Sequence, residues 1–313
     1  DAAIRAIQVA VAGGHNLIMV GPPGGGKTLL ASCVPSILPA MDDSEALEVT
    51  CIQSITGTVS PAGLARKRPF RRPHHTVSPA GMLGGGNPPM PGEVTLAHRG
   101  VLYLDEFCEF RPQVIESLRG PMEDGFIIVS RSSGRVSFPS RFMLIASANP
   151  CPCGYLGDPE RACVCQGASL MRYRRRLAGP VIDRIDIQIE VPRVRRIDLE
   201  RPVAFLTSDS VRHEIEHARE RQSERFCRNG FTNSAMGPRH IESIARLAPE
   251  ARRLLLDAVD QMALSARAYH KLIRVSRTIA DLDGVDSVGE GHVLEALQYR
   301  TLDSEPQAVL SYG

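Results

Sequence analysis

The sequence predicts an α/β domain built on a parallel sheet, followed by a small all-α domain. Three observations carry this reading. Short apolar runs, "NLIMV" (16–20), "VLYLD" (101–105), "FMLIAS" (142–147) and "IDIQIEV" (185–191), recur with helical patterns between them, the pattern of buried parallel strands joined by crossover helices. Between the second and third runs, "FIIVSRSSGRVSFPS" (126–140) alternates around Ser132, Ser133 and Gly134, which predicts a β-hairpin projecting from the sheet. After about Arg196 strand signals vanish and helical periodicity takes over, in "VRHEIEHARERQSERF", "RHIESIARLA", "EARRLLLDAVDQMALSARAYHKLIRVSRTIADLDG" and "EGHVLEALQYR", so the domains are set at 1–195 and 196–313. The Gly/Pro-rich stretch "SPAGMLGGGNPPMPG" (78–92) is expected to be a long irregular loop.

Composition fits an ordinary folded chain of 313 residues, 43% hydrophobic and 23% charged. The net charge of +2 implies no nucleic-acid partner by itself, but positive charge gathers in "RKRPFRRPHH" (66–75) and "RYRRR" (172–176). No run of eighteen apolar residues occurs, and the first residues lack a basic segment and a small-residue cleavage site, which argues against a membrane span or a signal peptide. The expectation is a cytoplasmic chain whose eight cysteines stay reduced. Its first residues already follow an amphipathic pattern (Ile4, Ile7, Val11), as expected of a fragment of something longer.

Chemistry concentrates at strand ends. "GPPGGGKT", Gly21, Pro22, Pro23, Gly24, Gly25, Gly26, Lys27 and Thr28, lies between an apolar run and a helical pattern, the context of a phosphate-binding loop. Glycines let backbone N–H groups converge on phosphates at a helix N-terminus. Lys27 is placed to reach the β- and γ-phosphates and Thr28 to ligate Mg²⁺; a plain strand-to-helix turn is the competing reading. "VLYLDEF" ends in two carboxylates: Asp105 to hold the metal's water shell and Glu106 to polarise an attacking water as general base. Asn149 ends the third run, either orienting that water or simply forming a turn.

These motifs, in this order and with a helical lid after the sheet, make the chain similar to AAA+ ATPases of the P-loop NTPase class. The stretch "RPFRRPHHTVSPAGMLGGGNPPMPGEVTLAHRGVLYLDEF" resembles, more narrowly, the Mg-chelatase-like family known as YifB or ComM. That resemblance implies ATP and Mg²⁺ as cofactors, self-association into a ring, in the characterised case a hexamer, and DNA, single-stranded or branched, as partner. The characterised activity is that of a branch-migration helicase in natural transformation; a chelatase-like or protein-remodelling machine is the alternative. Family members also carry an N-terminal Lon-protease-like domain, which this sequence does not contain. "GPVIDRIDIQIEVPRV" (179–194) matches the arginine-finger segment, making Arg184 the candidate to reach a neighbour's γ-phosphate, with an internal ion pair to Asp183 or Asp186 as the alternative. "ALSARAYHKLIRVSRTIADL" (263–282) matches the second-sensor helix, with Arg267 as candidate and Arg274 as its neighbour. The hairpin matches a pore element, so Arg131 and Arg135 are expected to follow a DNA backbone. Arg71 and Arg72, beside Phe70 as a base-stacking residue, form a second candidate DNA contact; a solvated charged face is the alternative for both.

Cys151, Cys153, Cys163 and Cys165 form two C-x-C pairs within fifteen residues. Four thiolates can close a tetrahedral Zn²⁺ site, and Gly154 and Gly157 let the loop turn back. C-x-C is tighter than the commoner C-x-x-C, and unpaired thiols in a loop or a redox-sensitive cluster are the competing readings.

Overall fold

The computed structural model describes residues 2–59, 61, 63–131, 134–193, 207–228, 230–300 and 302. They group into two compact units: residues 21–184, and residues 1–20 together with 185–313. The boundary expected at 195/196 lies outside the described residues. All four apolar runs form strands, β1 at Leu17–Val20, then β2 at Phe70–Arg71, β3 at Gly84–Gly85, β4 at Met90–Pro91, β5 at Val101–Leu104, β6 at Phe126–Arg131, β7 at Gly134–Pro139, β8 at Met143–Ala148 and β9 at Ile187–Glu190.

In the 21–184 unit β2, β5 and β8 run parallel, with Phe70 opposite Val101 and Val101 opposite Met143. Every residue of β5 and β8 is buried, as their near-continuous apolar sequences require of strands covered on both faces. Helices Lys27–Ile37 and Asp43–Ile55 follow the phosphate loop; the second starts at Asp42, whose side chain accepts a 2.8 Å bond from the Glu45 N–H. β6 and β7 form the expected antiparallel hairpin, Ile127 opposite Phe138 and Ser130 opposite Arg135. Its tip residues Ser132 and Ser133 lie outside the described residues.

The 78–92 stretch departs from the expected irregular loop. Ser78 caps a short helix, Pro79–Leu83, by accepting from the Gly81 N–H at 3.0 Å, and β3 then pairs antiparallel with β4. Ser followed by Pro is a helix start rather than a turn. The glycines serve close approach: a Cβ on Gly92 would stand 2.3 Å from the Gly84 nitrogen.

In the other unit β1 pairs parallel with β9, Leu17 opposite Ile187. Helix Ala2–Gly13 packs with Ser208–Phe226 and Ala266–Leu282, and Arg219 and Gln222 donate to the Val11 and Ala12 carbonyls at 2.7 and 3.0 Å. The 266–282 helix buries Leu272, Ile273, Val275, Ile279 and a fully enclosed Arg277. Asp281 on the same helix gathers the buried charges. It pairs with Arg225, lies 3.0 Å from Arg277 and accepts from Asn233 at 2.8 Å. Among the described residues no helix is long and apolar enough to cross a membrane.

Removing one partner of a buried ion network leaves the others uncompensated, which costs about 3–5 kcal/mol. Asp281→Ala is therefore expected to lower unfolding free energy by about that amount in urea titrations, and a loss under about 1 kcal/mol, the surface-pair range, would contradict this description.

Candidate active site

The phosphate loop leaves β1 and closes onto the first turn of helix Lys27–Ile37. Gly24 and Gly26 have φ of 80° and 81°, the left-handed region that only glycine enters cheaply. A Cβ at either would meet nothing within 4 Å, so this backbone bends around open space rather than packing. The Gly21 N–H is bonded to the Ala148 carbonyl at 3.1 Å, tying the loop's start to the end of β8. Lys27 is buried, its ammonium donating to the Gly21 and Pro22 carbonyls at 2.6 and 2.8 Å and to Asn149 Oδ1 at 3.3 Å. Burial lowers the Lys27 pKa while the Asp105 charge works to raise it. A cavity of about 370 Å³ is lined by Pro23 to Leu29, Asp105, Glu106 and Ser147 to Asn149, within the size range of small-molecule sites. An open glycine cradle, a buried ammonium and a helix N-terminus with unsatisfied first-turn N–H groups suit a polyphosphate.

Strand register brings the carboxylate in. Leu104 lies opposite Ala146, so one residue on Asp105 meets Ser147, whose hydroxyl donates to Asp105 Oδ1 at 2.5 Å. Tyr103 donates in turn to Ser147 at 3.1 Å from within the core. Thr28 donates to Asp105 Oδ2 at 3.2 Å, and Arg72 forms an ion pair with the same oxygen. Burial opposes ionisation of Asp105, but hydrogen bonding to Ser147 and Tyr103, the Arg72 charge and Thr28 prevail, so its pKa lies below the usual carboxylate value. Asp105 is thus held as an anion against the hydroxyl expected to ligate Mg²⁺.

At Glu106 the backbone turns left-handed, φ 54° and ψ 49°, a conformation that costs a non-glycine residue roughly 1–2 kcal/mol. Its N–H is held by Asp105 Oδ1 at 3.2 Å and Ser147 Oγ at 3.4 Å. The kink sends the Glu106 side chain outward, 61% exposed and 3.8 Å from His75. One carboxylate is therefore fixed on the loop while its neighbour faces solvent beside His75.

Two family profiles match the chain: magnesium chelatase, subunit ChlI, over residues 1–199, and the ChlI C-terminal family over residues 206–300. The chain belongs to the magnesium chelatase subunit ChlI family. The competence protein ComM of Haemophilus influenzae is 42% identical over 300 residues, which cover 95% of this chain and 58% of that protein. The uncharacterised protein YifB of Escherichia coli is 40% identical over 301 residues, 96% of this chain and 58% of its own length. The 38 kDa magnesium-chelatase subunit of Rhodobacter capsulatus is 26% identical over 210 residues, 65% of this chain and 51% of that one. The chain thus spans less than two thirds of these relatives. The fold is the AAA+-like α/β architecture of this Mg-chelatase family, which implies ATP with Mg²⁺ as cofactors.

Around this ChlI-family site the remaining candidates are placed differently. Arg184 ends a short 3₁₀ turn, its side chain only 9% exposed, paired with Glu123 and donating to the Pro180 carbonyl at 2.6 Å. Glu123 is thus an internal partner of this arginine, sixty-one positions away in the chain. Arg267 is exposed on the first turn of helix Ala266–Leu282, and Arg274 sits half-buried, its pKa lowered by burial against the opposing charge of Asp186. Arg131 and Arg135 flank the hairpin tip, with Arg135 exposed. Arg71 makes a bidentate pair with Glu93 at 2.7 and 2.9 Å, and Phe70 stacks on Tyr103 with ring centres 6.0 Å apart. The 66–75 stretch is therefore turned largely onto its own unit, with Arg72 reaching Asp105 itself. Ser147 and Arg72 as partners of Asp105 escaped the sequence reading. Ser147 was within reach of it, because residues two apart on a strand share a face and Asn149 was already singled out.

The four cysteines come together. Their sulfurs all lie within 4.8 Å of one another, Cys151 to Cys153 at 3.4 Å and Cys163 to both at 3.6 Å.

A hydrogen bond to a charged group contributes about 1.5–3 kcal/mol. Lys27→Ala is expected to weaken Mg·ATP binding by about ten- to a hundredfold on that basis, measured by titration with a fluorescent ATP analogue. Unchanged affinity would contradict the placement of the phosphates.

Proposed function

We propose that this chain is the motor part of a ring-forming ATPase, a hexamer in the assembled state, that drives DNA through its channel as a branch-migration helicase in natural transformation and homologous recombination. The observation that carries the hydrolytic part is the junction after β5, where Asp105 is fixed on Thr28 and Glu106 is kinked out toward solvent. In this reading Lys27, Thr28 and Asp105 hold Mg·ATP, Asn149 orients a water, and Glu106 accepts its proton as the oxygen attacks the γ-phosphorus and the bond to the bridging β,γ-oxygen breaks, with ADP as leaving group. Bound Mg²⁺ neutralises charge on the phosphate oxygens. Arg184 completes the neighbouring subunit's site, so assembly must exchange its Glu123 partner for phosphate oxygens. Arg267 of the helical region is the second sensor.

DNA as substrate is supported by the similarity to a protein named for competence and by the basic residues 131 and 135 flanking the hairpin tip, of which Arg135 is exposed. Arg71 and Arg72 are secondary contacts, since both must leave carboxylate partners to meet a phosphate. The site of action is the cytoplasm. The similarity to a magnesium-chelatase subunit favours a second reading, a remodelling machine acting on a protein.

ATPase rate measured with and without single-stranded and branched DNA separates the two. The motor reading expects stimulation, and expects Arg131→Ala with Arg135→Ala to reduce the log–log salt slope of DNA binding by about one to two. No stimulation by any DNA would favour the protein-directed machine, and an unchanged slope would move the contacts away from the hairpin.

A further inference from the structure

The loop from Cys151 to Gln166 contains neither helix nor strand, and its buried residues are Cys151 and Gly154. Val164, its large aliphatic side chain near the second cysteine pair, is 82% exposed. No apolar core holds this loop in shape, yet its four sulfurs converge from positions up to fourteen residues apart. A tetrahedral tetrathiolate with zinc–sulfur bonds of about 2.3 Å requires sulfurs about 3.8 Å apart. The distances found, 3.4 and 3.6 Å with all four inside 4.8 Å, surround that value, and they are far beyond the roughly 2.05 Å of a disulfide. A main-chain donor also turns toward the sulfurs: the Cys153 N–H donates to Cys165 Sγ at 3.3 Å. Such N–H groups stabilise metal-bound thiolate charge.

The same loop touches the phosphate site. Gly154 lies between the cysteine pairs with φ of 87°, bonded back to the Cys151 carbonyl at 2.9 Å. A Cβ there would stand 2.6 Å from Pro23 Cδ, 2.8 Å from Pro23 Cγ and 3.8 Å from Asn149 Cγ. The cysteine loop's backbone is therefore seated directly on the phosphate loop and beside the Asn149 that bonds Lys27. We infer that Cys151, Cys153, Cys163 and Cys165 bind one structural Zn²⁺, and that this clip braces Pro23 and Asn149 through Gly154. Four cysteine ligands leave no open coordination position, so the metal's role is to hold shape. Zinc rather than a cation such as Mg²⁺ follows from the all-thiolate donor set. Gly154 acts as a positioning residue, not a catalytic one.

The metal is tested on the whole chain purified without chelator. Elemental analysis is expected to give about one zinc per chain, with Co²⁺ substitution giving the visible bands of a tetrahedral tetrathiolate. Zinc well below one per chain with all four thiols freely alkylated, or iron in its place, would overturn the site. The bracing rests on the ATPase reading, while the metal content does not, so an inactive wild-type protein containing zinc would sink the former alone. Cys163→Ser with Cys165→Ser is expected to lose the metal and to lower kcat by about ten- to a hundredfold, the effect of displacing a positioned group by about an ångström. Gly154→Ala supplies the arm that does not depend on the cysteine variant folding. It is expected to keep its zinc and its fold, with a melting temperature lowered by only a few degrees because residue 154 has a positive φ, while kcat falls about tenfold and the KM for ATP moves less. Wild-type kcat in a zinc-replete Gly154→Ala protein would overturn the bracing.

Discussion

The pairing of β5 with β8 is the constraint on which the site depends. Val101 opposite Met143 fixes Leu104 opposite Ala146, and the next pair outward is a carboxylic acid facing a hydroxyl, Asp105 and Ser147. A slip of one residue would turn the side chains of β5 to the opposite faces and leave Asp105 away from Thr28. The buried apolar residues of both strands make such a slip costly. Core packing thus sets the position of a polar site at its edge, and the Gly21 N–H bond to Ala148 ties the phosphate loop to the same strand end.

Charge is then distributed by environment. Asp105 is pinned by Ser147, Thr28 and Arg72 and stays ionised, whereas Glu106, one residue on, is released by a left-handed turn whose cost is offset by two bonds to its N–H. Two adjacent carboxylates thus meet different environments at neighbouring positions of one chain. Arg72 on Asp105 supplies positive charge at the place where the family's Mg²⁺ is expected to act, and it ties the 66–75 segment to that carboxylate.

Much of this was legible in the sequence because it depends on short-range patterns. The phosphate loop lies in eight consecutive residues, the four apolar runs became strands within a residue or two, and the hairpin paired around its predicted tip. What escaped was decided by partners distant in the chain. Arg71 and Arg72 read as an exposed basic patch, yet their partners are Glu93 and Asp105, and Arg184 pairs with the sequence-distant Glu123. The 78–92 stretch read as irregular because its glycines suggested freedom, while Gly92 instead permits backbone to approach backbone. The convergence of four cysteines was legible from spacing; their seat on Pro23 through Gly154 was not, since it is a contact between two loops.

The proposed mechanism makes Glu106 the base of an ATP-hydrolysing site whose binding half is complete without it. Parallel measurement of Mg·ATP affinity and single-turnover hydrolysis in Glu106→Gln protein tests this most directly, because the amide keeps the side chain's shape and cannot accept the proton. Affinity is predicted to stay within about twofold of wild type while the hydrolysis rate falls by about a hundredfold or more. Hydrolysis at the wild-type rate in the variant would contradict the account.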